Sequence, residues 1–278
     1  MHPLYACAEG LKSPHLNFYI LQMKPLFLIA FCFVLLSSCN HAPKNILLKL
    51  KYFKGQRIDV KYRSYIYSDD DIDRPLRNEY TRLGFTVDSV LADSSYIFSA
   101  RIDYLRVKNG DFAGEEYSSD KDEASMGPQE RQIHQMAKPL LDSVYTFTVN
   151  QQGKVIAPFA FKHGRGIPAQ FALIDLAVYQ IVFPKEKLAI GDEWTTENIV
   201  PQTKGKRIFT YTMQGIYDSA IQIMVKGTLQ LPDGTSKDFT GSYTLDQETN
   251  AVISGKIETD FKMQGSNHIK AVVSVESH

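Results

Sequence analysis

The sequence predicts a mainly β fold of the α+β class: a large curved antiparallel sheet, or half-barrel, that wraps one apolar helix and carries one further short helix. The first observation is a period-two alternation of apolar and polar residues, which recurs in eleven or twelve segments. The second is that short turn sequences separate these segments, which favours antiparallel meanders over βαβ units. The third is that only two segments break the alternation with helical signals.

The first clear strand follows Ile46, where the alternating pattern begins. Ile58, Val60 and Tyr62 share one face with Ser64 and Ile66, while charged and tyrosine residues occupy the other face. A strand is also expected after the turn at Gly191, with Trp194 in the core. The remaining predicted strands cover residues 80–91, 95–107, 144–149, 154–159, 207–213, 220–231, 237–245, 251–263 and 268–275.

Two of the later strands alternate cleanly enough to assign their faces. In the strand 237–245 the core face is predicted to carry Phe239, Gly241, Tyr243 and Leu245. In the strand 251–263 it is predicted to carry Ile253, Ile257, Phe261 and Met263. The opposite faces hold Thr, Ser, Lys, Asp and Glu, so one face of the sheet is expected to contact water.

The first helical segment covers residues 128–141. Pro128 suits the first helical position, Glu130 lies in the first turn, and Pro139 should end or kink the helix.

The second helical segment covers residues 167–183, with Pro168 near its start and Pro184 after its end. It is apolar on nearly every side, which is typical of a buried helix. Its length of about 25 Å is shorter than the roughly 30 Å hydrocarbon core of a bilayer. We therefore interpret it as a core helix or as a lid over an apolar groove. The candidate groove or lid residues are Phe171, Leu173, Ile174, Leu176, Val178 and Ile181.

The N-terminal region contains a secretory signal pattern. Lys24 precedes an apolar run at residues 26–36, and Leu36, Ser37, Ser38 and Cys39 follow. This pattern resembles a bacterial lipoprotein signal, in which Leu36, Ser37 and Ser38 match the signal-peptidase motif. The resemblance implies that Cys39 is lipidated and becomes the new N-terminus. The alternative, a transmembrane anchor, requires about 20 apolar residues, and this run is shorter.

These signals divide the chain into four parts. Residues 1–22 resemble neither a signal nor a domain, and we interpret them as a mis-annotated extension before a true start at Met23. Residues 23–38 are the signal peptide, 39–45 a lipidated tether, and 46–278 a β-rich periplasmic domain. No acidic residue lies at positions 40–44. By resemblance, this favours the periplasmic face of the outer membrane.

Two further resemblances concern the domain itself. A large antiparallel sheet around an apolar helix is similar to the half-barrel of bacterial lipoprotein carriers. Two stretches, from Phe183 to Trp194 and from Tyr243 to Ala251, resemble elements of an uncharacterised Gram-negative lipoprotein family. Those elements look structural, so the resemblance implies no particular activity.

Composition and motifs exclude several functional classes. The chain has 31 basic and 31 acidic residues, which argues against nucleic acid as a partner. Cys7 and Cys32 precede the cleavage site and Cys39 would be lipidated, so no disulfide is expected. No nucleophile elbow, phosphate loop, zinc-protease motif or dinucleotide fingerprint is present. We therefore predict no catalytic residue and no cofactor.

Metal binding is the remaining possibility for site chemistry. Acidic residues cluster at positions 69–73 and 111–123, and such loops can hold calcium. Neither cluster has the spacing of a known calcium loop, so mobile solvated loops are the preferred interpretation. Residues 163–166 could form an anion-binding nest, although a glycine-rich helix start explains them more simply. The histidines lack metal-ligand spacing; those after the cleavage site are His41, His134, His163, His268 and His278.

Three functional hypotheses follow from different classes. The preferred one is a lipid-anchored binding or scaffolding module whose apolar groove takes a lipid, an acyl chain or an envelope protein. The second is a purely structural envelope component with a filled core. The third is a hydrolase that uses carboxylates brought together by the fold.

Overall fold

Twelve β-strands form a single antiparallel sheet in the computed structural model, which describes residues 45–68, 75–109, 116–161, 181–200, 204–262 and 268–278. The predicted fold class, a mainly β antiparallel sheet, is confirmed. The strands are β1 (Arg57–Ser68), β2 (Arg77–Val90), β3 (Tyr96–Asn109), β4 (Glu116–Ser118), β5 (Val144–Val149), β6 (Val155–Phe161), β7 (Glu193–Val200), β8 (Gly205–Ile216), β9 (Ala220–Gln230), β10 (Ser236–Asp246), β11 (Val252–Lys262) and β12 (His268–Ser277).

The strand order divides the sheet into two halves that follow the chain. Along the sheet the order is β6-β5-β3-β2-β1-β12-β11-β10-β9-β8-β7, with β4 paired to β3. Strands β1 and β12 therefore pair in the middle, from Val60 opposite Ser277 to Ser68 opposite Ile269. Strands β6 and β7 lie at the two outer ends of this order, so the sheet is not closed.

One face of the sheet, here called the inner face, carries the hydrophobic core. The alternation predicted for β1 and β10 is confirmed, because Val60, Tyr62, Phe239, Tyr243 and Leu245 are all buried. Most residues between them in sequence are polar and more exposed. The inner face contains two aromatic groups, which are Tyr96, Phe98, Phe85 and Phe147 in the first half of the chain and Trp194, Tyr211, Phe209 and Phe239 in the second.

An extended segment at residues 46–52, here called the strap, crosses one end of the sheet. Leu48 and Leu50 are buried while Leu47 is exposed, so the period-two pattern predicted from Ile46 onward is present. The strap is not a strand, however. Apart from one bridge between Ile46 and Leu188, its backbone N–H groups bond to loops, and the carbonyl of Leu50 accepts from the hydroxyl of Tyr96 (2.7 Å).

The strap also shows how strongly the sheet is curved. The N–H of Leu50 donates to the carbonyl of Gln151 (2.8 Å), and the N–H of Lys51 donates to that of Thr249 (3.0 Å). These carbonyls belong to the β5–β6 and β10–β11 turns, whose strands are six positions apart in the sheet. Six strand spacings would span about 29 Å in a flat sheet. Because adjacent strap residues reach both turns, the sheet curls around the strap.

The helix predicted at 128–141 is confirmed with the same bounds, as α1 (Pro128–Leu141). Glu130 accepts hydrogen bonds from the N–H of Gly127 (2.6 Å) and from Lys121 Nζ (2.6 Å), and these bonds lower the pKa of Glu130. Pro139 lies in the last turn, and the helix continues for two residues beyond it. Within the part of the chain described, no helix is long and apolar enough to cross a membrane.

The polar loop predicted at 111–123 is partly structured. Glu116–Ser118 forms β4, and Glu123–Ser125 forms a short 3-10 turn whose start is capped by Asp122. Tyr117 is fully buried, and its hydroxyl lies 3.2 Å from His134 Nδ1 on α1. The loop interpretation was wrong here because one buried tyrosine anchors the segment to the core. Residues 69–73 and 111–115 lie outside the described residues.

The face predicted for Ile253 was also wrong. Ile253 is exposed, and Val252 packs against the core instead. The reason is an irregularity in the register with β10, where Leu245 pairs with Val252 but Thr244 pairs with Ser254. The extra residue of such a bulge reverses the alternation locally. Ile257, beyond the bulge, is buried as predicted.

The apolar helix predicted at 167–183 falls mainly outside the described residues. Residues 181–183, its predicted last turn, are not helical. The carbonyl of Val182 accepts from Trp194 Nε1 (2.8 Å), and the N–H of Phe183 donates to the carbonyl of Gln152 (2.7 Å). These backbone groups bond to other parts of the fold, so the prediction extended the helix too far in this direction.

Candidate functional site

An apolar cavity of about 220 Å³ opens on the inner face, within the second half of the sheet. It lies between side chains of β1, β8, β9, β10, β11 and β12. Since β1 and β8 are five positions apart in the sheet, only a curved sheet brings their side chains to one cavity. The lining residues are Tyr62, Arg207, Phe209, Leu229, Lys237, Phe239, Ile257, Thr259 and Val273.

The walls of the cavity are built from inward-facing positions of consecutive strands. Phe209 on β8 and Phe239 on β10 meet with their ring centroids 5.0 Å apart. Between them on β9 is Gly227, where a Cβ atom would lie 2.2 Å from the carbonyl oxygen of Ile208 and 2.3 Å from the Phe239 ring. Glycine is therefore required at this position for the Phe239 ring to lie against the backbone of β9.

Two basic residues place positive charge at this cavity. Arg207, at the start of β8, holds its guanidinium 5.7 Å from the centroid of the Phe209 ring. Lys237, near the start of β10, lines the same space. An apolar wall combined with a few polar groups is the usual composition of a small-molecule site. The combination suits a ligand with an apolar chain and an anionic group.

Two other cavities have a different character. One of about 60 Å³ lies beneath Tyr52, among aromatic side chains of the first half of the sheet. A larger one, about 510 Å³, lies at the end of the sheet crossed by the strap. Its lining is mostly polar, and includes Lys51, Asp218, Asp246, Glu248 and Asn250. The first of these is apolar but much smaller than the 220 Å³ cavity, and the second is larger but polar.

The carboxylates of the larger cavity bear on the hydrolase hypothesis. Asp246 accepts hydrogen bonds from the N–H (2.7 Å) and the hydroxyl (2.6 Å) of Thr249. Asn250 holds the strap, because its Nδ2 donates to the carbonyl of Lys49 (2.8 Å). These hydrogen bonds give both side chains a structural role: Asp246 stabilises the β10–β11 turn, and Asn250 holds the strap.

A buried carboxylate, that of Glu79, also lies on the inner face, near the start of β2 and away from the strap. Glu79 is almost fully buried and pairs with Arg77 at 3.2 Å. Burial raises the pKa of Glu79 above its ordinary value, against the lowering effect of Arg77. Among the described residues, Arg77 is the charged side chain that pairs with Glu79.

Among the described residues, no group of three His, Cys, Asp or Glu side chains is arranged to hold a metal ion. Two of the histidines singled out from the sequence have other neighbours. His134 contacts Tyr117, and His278 Nε2 lies 3.1 Å from Lys61 Nζ. His41 and residues 163–166 lie outside the described part of the chain.

Most site residues predicted from the sequence also fall outside it. These are Leu36, Ser37, Ser38 and Cys39 of the signal and Phe171, Leu173, Ile174, Leu176 and Val178 of the predicted lid. Ile181 is described, and it is buried. Its carbonyl oxygen lies against Gly153 in the β5–β6 turn.

Sequence reasoning did not identify the residues that line the apolar cavity. It placed Tyr62, Phe239 and Ile257 on core faces, but alternation alone does not distinguish a core side chain packed on all sides from one that borders a cavity. The one usable signal was the set of inward-facing glycines, Gly227, Gly241 and Gly255, on three consecutive strands.

Comparison with known proteins gives a partial family match. Residues 179–273 match a family model described as a family of unknown function, DUF6263. The matched region begins in the segment before β7 and ends within β12, and it includes every residue that lines the apolar cavity except Tyr62. No curated protein matches the chain significantly.

One solved structure with a similar fold is that of lipovitellin, from work on lipid-protein interactions in that protein. The similarity covers 82% of this chain at 12% sequence identity, with a TM-score of 0.49. It covers 25% of the lipovitellin chain, so this protein spans about a quarter of the length of that one. A similarity at this level carries no information about ligand or activity.

Proposed function

We propose that this protein is a lipid-anchored envelope lipoprotein that binds an acyl chain or a similarly apolar ligand on the inner face of its sheet. Cys39 is the anchor, and the domain from residue 46 onward is the binding module on the periplasmic face of the outer membrane. The protein is not an enzyme in this proposal. Its task is to hold or present its ligand.

The observation that supports the proposal is the apolar cavity with Arg207 and Lys237 among its lining residues. Its volume of about 220 Å³ is below the range of about 300–1,000 Å³ typical of ligand pockets. It therefore suits part of an acyl chain better than a whole lipid. A fatty acid matches both properties, because its chain is apolar and its carboxylate is anionic.

Filling the cavity should abolish binding without unfolding the domain. Thr259 lines the cavity from β11 and is only half-buried, so Thr259→Phe adds a ring to open space. We expect the affinity for a fluorescent fatty acid to fall at least about tenfold, because one aromatic ring would take the volume needed by several methylene groups. Fluorescence titration measures the change.

The matched control is Thr240→Phe, the same substitution on the neighbouring strand β10. Thr240 pairs with Glu258 on the outer face and is exposed. The variant Thr240→Phe should therefore leave fatty-acid binding unchanged. If the parent protein does not bind the probe, or if both variants bind it equally well, the binding proposal fails and the structural hypothesis gains support.

The anchor can be tested separately. Replacing Cys39 with Ala should move the protein from the membrane fraction to the soluble fraction, because stable anchoring requires about two acyl chains. Cys32→Ala is the control, since Cys32 lies in the predicted signal peptide and should not affect anchoring. Retention of Cys39→Ala on salt-washed membranes would show that the anchor is elsewhere.

A further inference from the structure

The antiparallel topology gathers seven chain segments at one end of the sheet, here called the strap end. The turns β2–β3, β5–β6, β8–β9 and β10–β11 all lie there, as do the starts of β1 and β7 and the end of β12. The strap crosses this end and bonds to several of these segments. The turns β1–β2, β7–β8, β9–β10 and β11–β12 lie at the opposite end, up to about 40 Å away along a twelve-residue strand.

Exposed apolar side chains are concentrated at the strap end. Phe53, Ile190 and Tyr217 are 65%, 58% and 54% exposed, and Leu91 and Leu47 are 40% and 39% exposed. They come from five different segments: the turn before β1, the turn before β7, the β8–β9 turn, the β2–β3 turn and the strap. Single exposed apolar residues are ordinary on a protein surface. A group of five on converging segments indicates an interaction surface.

The opposite end differs in its described residues. The β9–β10 turn consists of Leu231, Pro232, Asp233, Gly234 and Thr235, of which only Leu231, which is half-buried, and Pro232, which is exposed, are apolar. Among the described residues toward that end, Ile199 on β7 is 63% exposed, and Met136 on α1 and Val144 at the start of β5 are each 37% exposed. In the described residues, exposed apolar side chains are therefore more numerous at the strap end.

The charges at the strap end are balanced. Six lysines and six acidic residues lie on its segments, so no net charge selects an ionic partner. These residues are Lys49, Lys51, Lys54, Lys154, Lys185, Lys187, Asp93, Glu186, Asp192, Asp218, Asp246 and Glu248.

The chain enters the domain at this same end. Asn45 and Ile46 are the first described residues, and Ile46 is bridged to Leu188. Cys39 lies seven residues before Ile46, and seven extended residues span at most about 25 Å. A lipid attached to Cys39 would therefore keep the strap end within about 25 Å of the membrane surface.

From these observations we infer that the strap end is a membrane-docking surface, which inserts Phe53, Leu91, Ile190 and Tyr217 into the interface of the bilayer that holds the lipid anchor. Tyr217 suits this region because its apolar ring and its polar hydroxyl are both accommodated there, and Phe53, Leu91 and Ile190 supply apolar surface. The inference rests on the proposed anchor at Cys39. The domain would then stand with its strands directed away from the bilayer and its opposite end toward the compartment.

Depth-dependent quenching tests the inference. The protein purified from membranes is reconstituted into zwitterionic phosphatidylcholine vesicles whose acyl chains carry bromine, which quenches tryptophan at short range. Phe53→Trp and Ile190→Trp should lose at least about half of the added fluorescence, relative to unbrominated vesicles. The parent protein, with its single buried Trp194, provides the background.

The matched control is Ile199→Trp, because Ile199 and Phe53 are almost equally exposed but lie at opposite ends. Ile199 is six residues along β7 from Glu193, which is up to about 20 Å from the strap end. The tryptophan fluorescence of Ile199→Trp should therefore not be quenched. Equal absence of quenching at all three positions would overturn the docking inference, as would equal quenching at all three.

Mass analysis of the same preparation separates this inference from the proposed anchor. A preparation without acyl chains on Cys39 would refute the anchor and, with it, the docking inference. Acylated protein without quenching at Phe53→Trp and Ile190→Trp would leave the anchor standing and refute only the docking. Replacing part of the phosphatidylcholine with an anionic lipid should change the quenching little, because the charges of the strap end balance.

Discussion

Replacing Gly153 with Ala is expected to lower the free energy of unfolding by about 3 kcal/mol. Gly153, in the β5–β6 turn, has φ +85°, and a side chain in such a left-handed conformation costs roughly 1–2 kcal/mol. A Cβ atom there would also lie 2.2 Å from the carbonyl oxygen of Ile181. That segment is held by Gln152 and Trp194, so it does not move away freely, and overpacking adds about 1–3 kcal/mol.

Gly234→Ala isolates the contribution of the close approach. Gly234 also has φ +85°, but nothing lies within 4 Å of an added Cβ atom. We expect a loss of about 1 kcal/mol for this variant. Urea melts of both variants measure the difference. Equal losses for the two would show that the carbonyl of Ile181 does not restrict position 153.

Removing Arg77 should cost about 2–4 kcal/mol at pH 7. Glu79 is buried on the inner face, and Arg77, which is partly exposed, is its ion-pair partner at 3.2 Å. Breaking a buried pair by removing one partner leaves an uncompensated charge, and that charge is more costly than the loss of both partners. Arg77→Met keeps much of the side-chain volume and removes the charge.

The free energy of unfolding lost in Arg77→Met should be larger at high pH than at low pH. Burial raises the pKa of Glu79, so the folded protein binds its proton more tightly than the unfolded chain does. Stability due to this group therefore falls as pH rises from the ordinary glutamate pKa to the raised one. In Arg77→Met the pKa is expected to rise further, because Arg77 opposes the effect of burial. The variant should recover part of its lost stability near pH 5.

The test is the difference in unfolding free energy between Arg77→Met and the parent, followed from pH 4.5 to 8. The difference removes the contributions of other carboxylates, such as Glu258, whose pKa is lowered by Lys256 and Lys270. In a Glu79→Gln background, the change in unfolding free energy caused by Arg77→Met should lose this pH dependence. A difference that stays constant across this range would contradict the assigned role of Glu79.

Alternation along the strands made most of the fold predictable. The strand 144–149 and the helix 128–141 were predicted with their observed bounds, because turn residues and Pro128 mark their starts clearly. The errors arose where tertiary contacts override local pattern. Tyr117 draws β4 out of a polar loop, and a bulge reverses the face of Ile253. Neither the burial of Tyr117 nor the bulge beside Ile253 can be predicted from the local sequence pattern.

The candidate site was less predictable than the sheet that forms it. Tyr62 and Phe209 lie on strands five positions apart, and no sequence spacing relates them. They approach one cavity because the sheet curls, and the curl became evident from the bonds of Leu50 and Lys51 to distant turns. Sequence reasoning placed Tyr62, Phe239 and Ile257 on the core side of their strands but did not give the distance between strands across the curve.

The pairing of β1 with β12 determines when the sheet can be assembled. Val60 lies opposite Ser277, so the central seam joins residues more than two hundred positions apart. Contacts of such long range slow folding, because the chain must close a large loop first. During synthesis from the N-terminus, β1 emerges long before β12, and one of its edges stays unpaired until β12 is made. Such edges promote aggregation, so the nascent protein should depend on a holding chaperone until its last strand arrives.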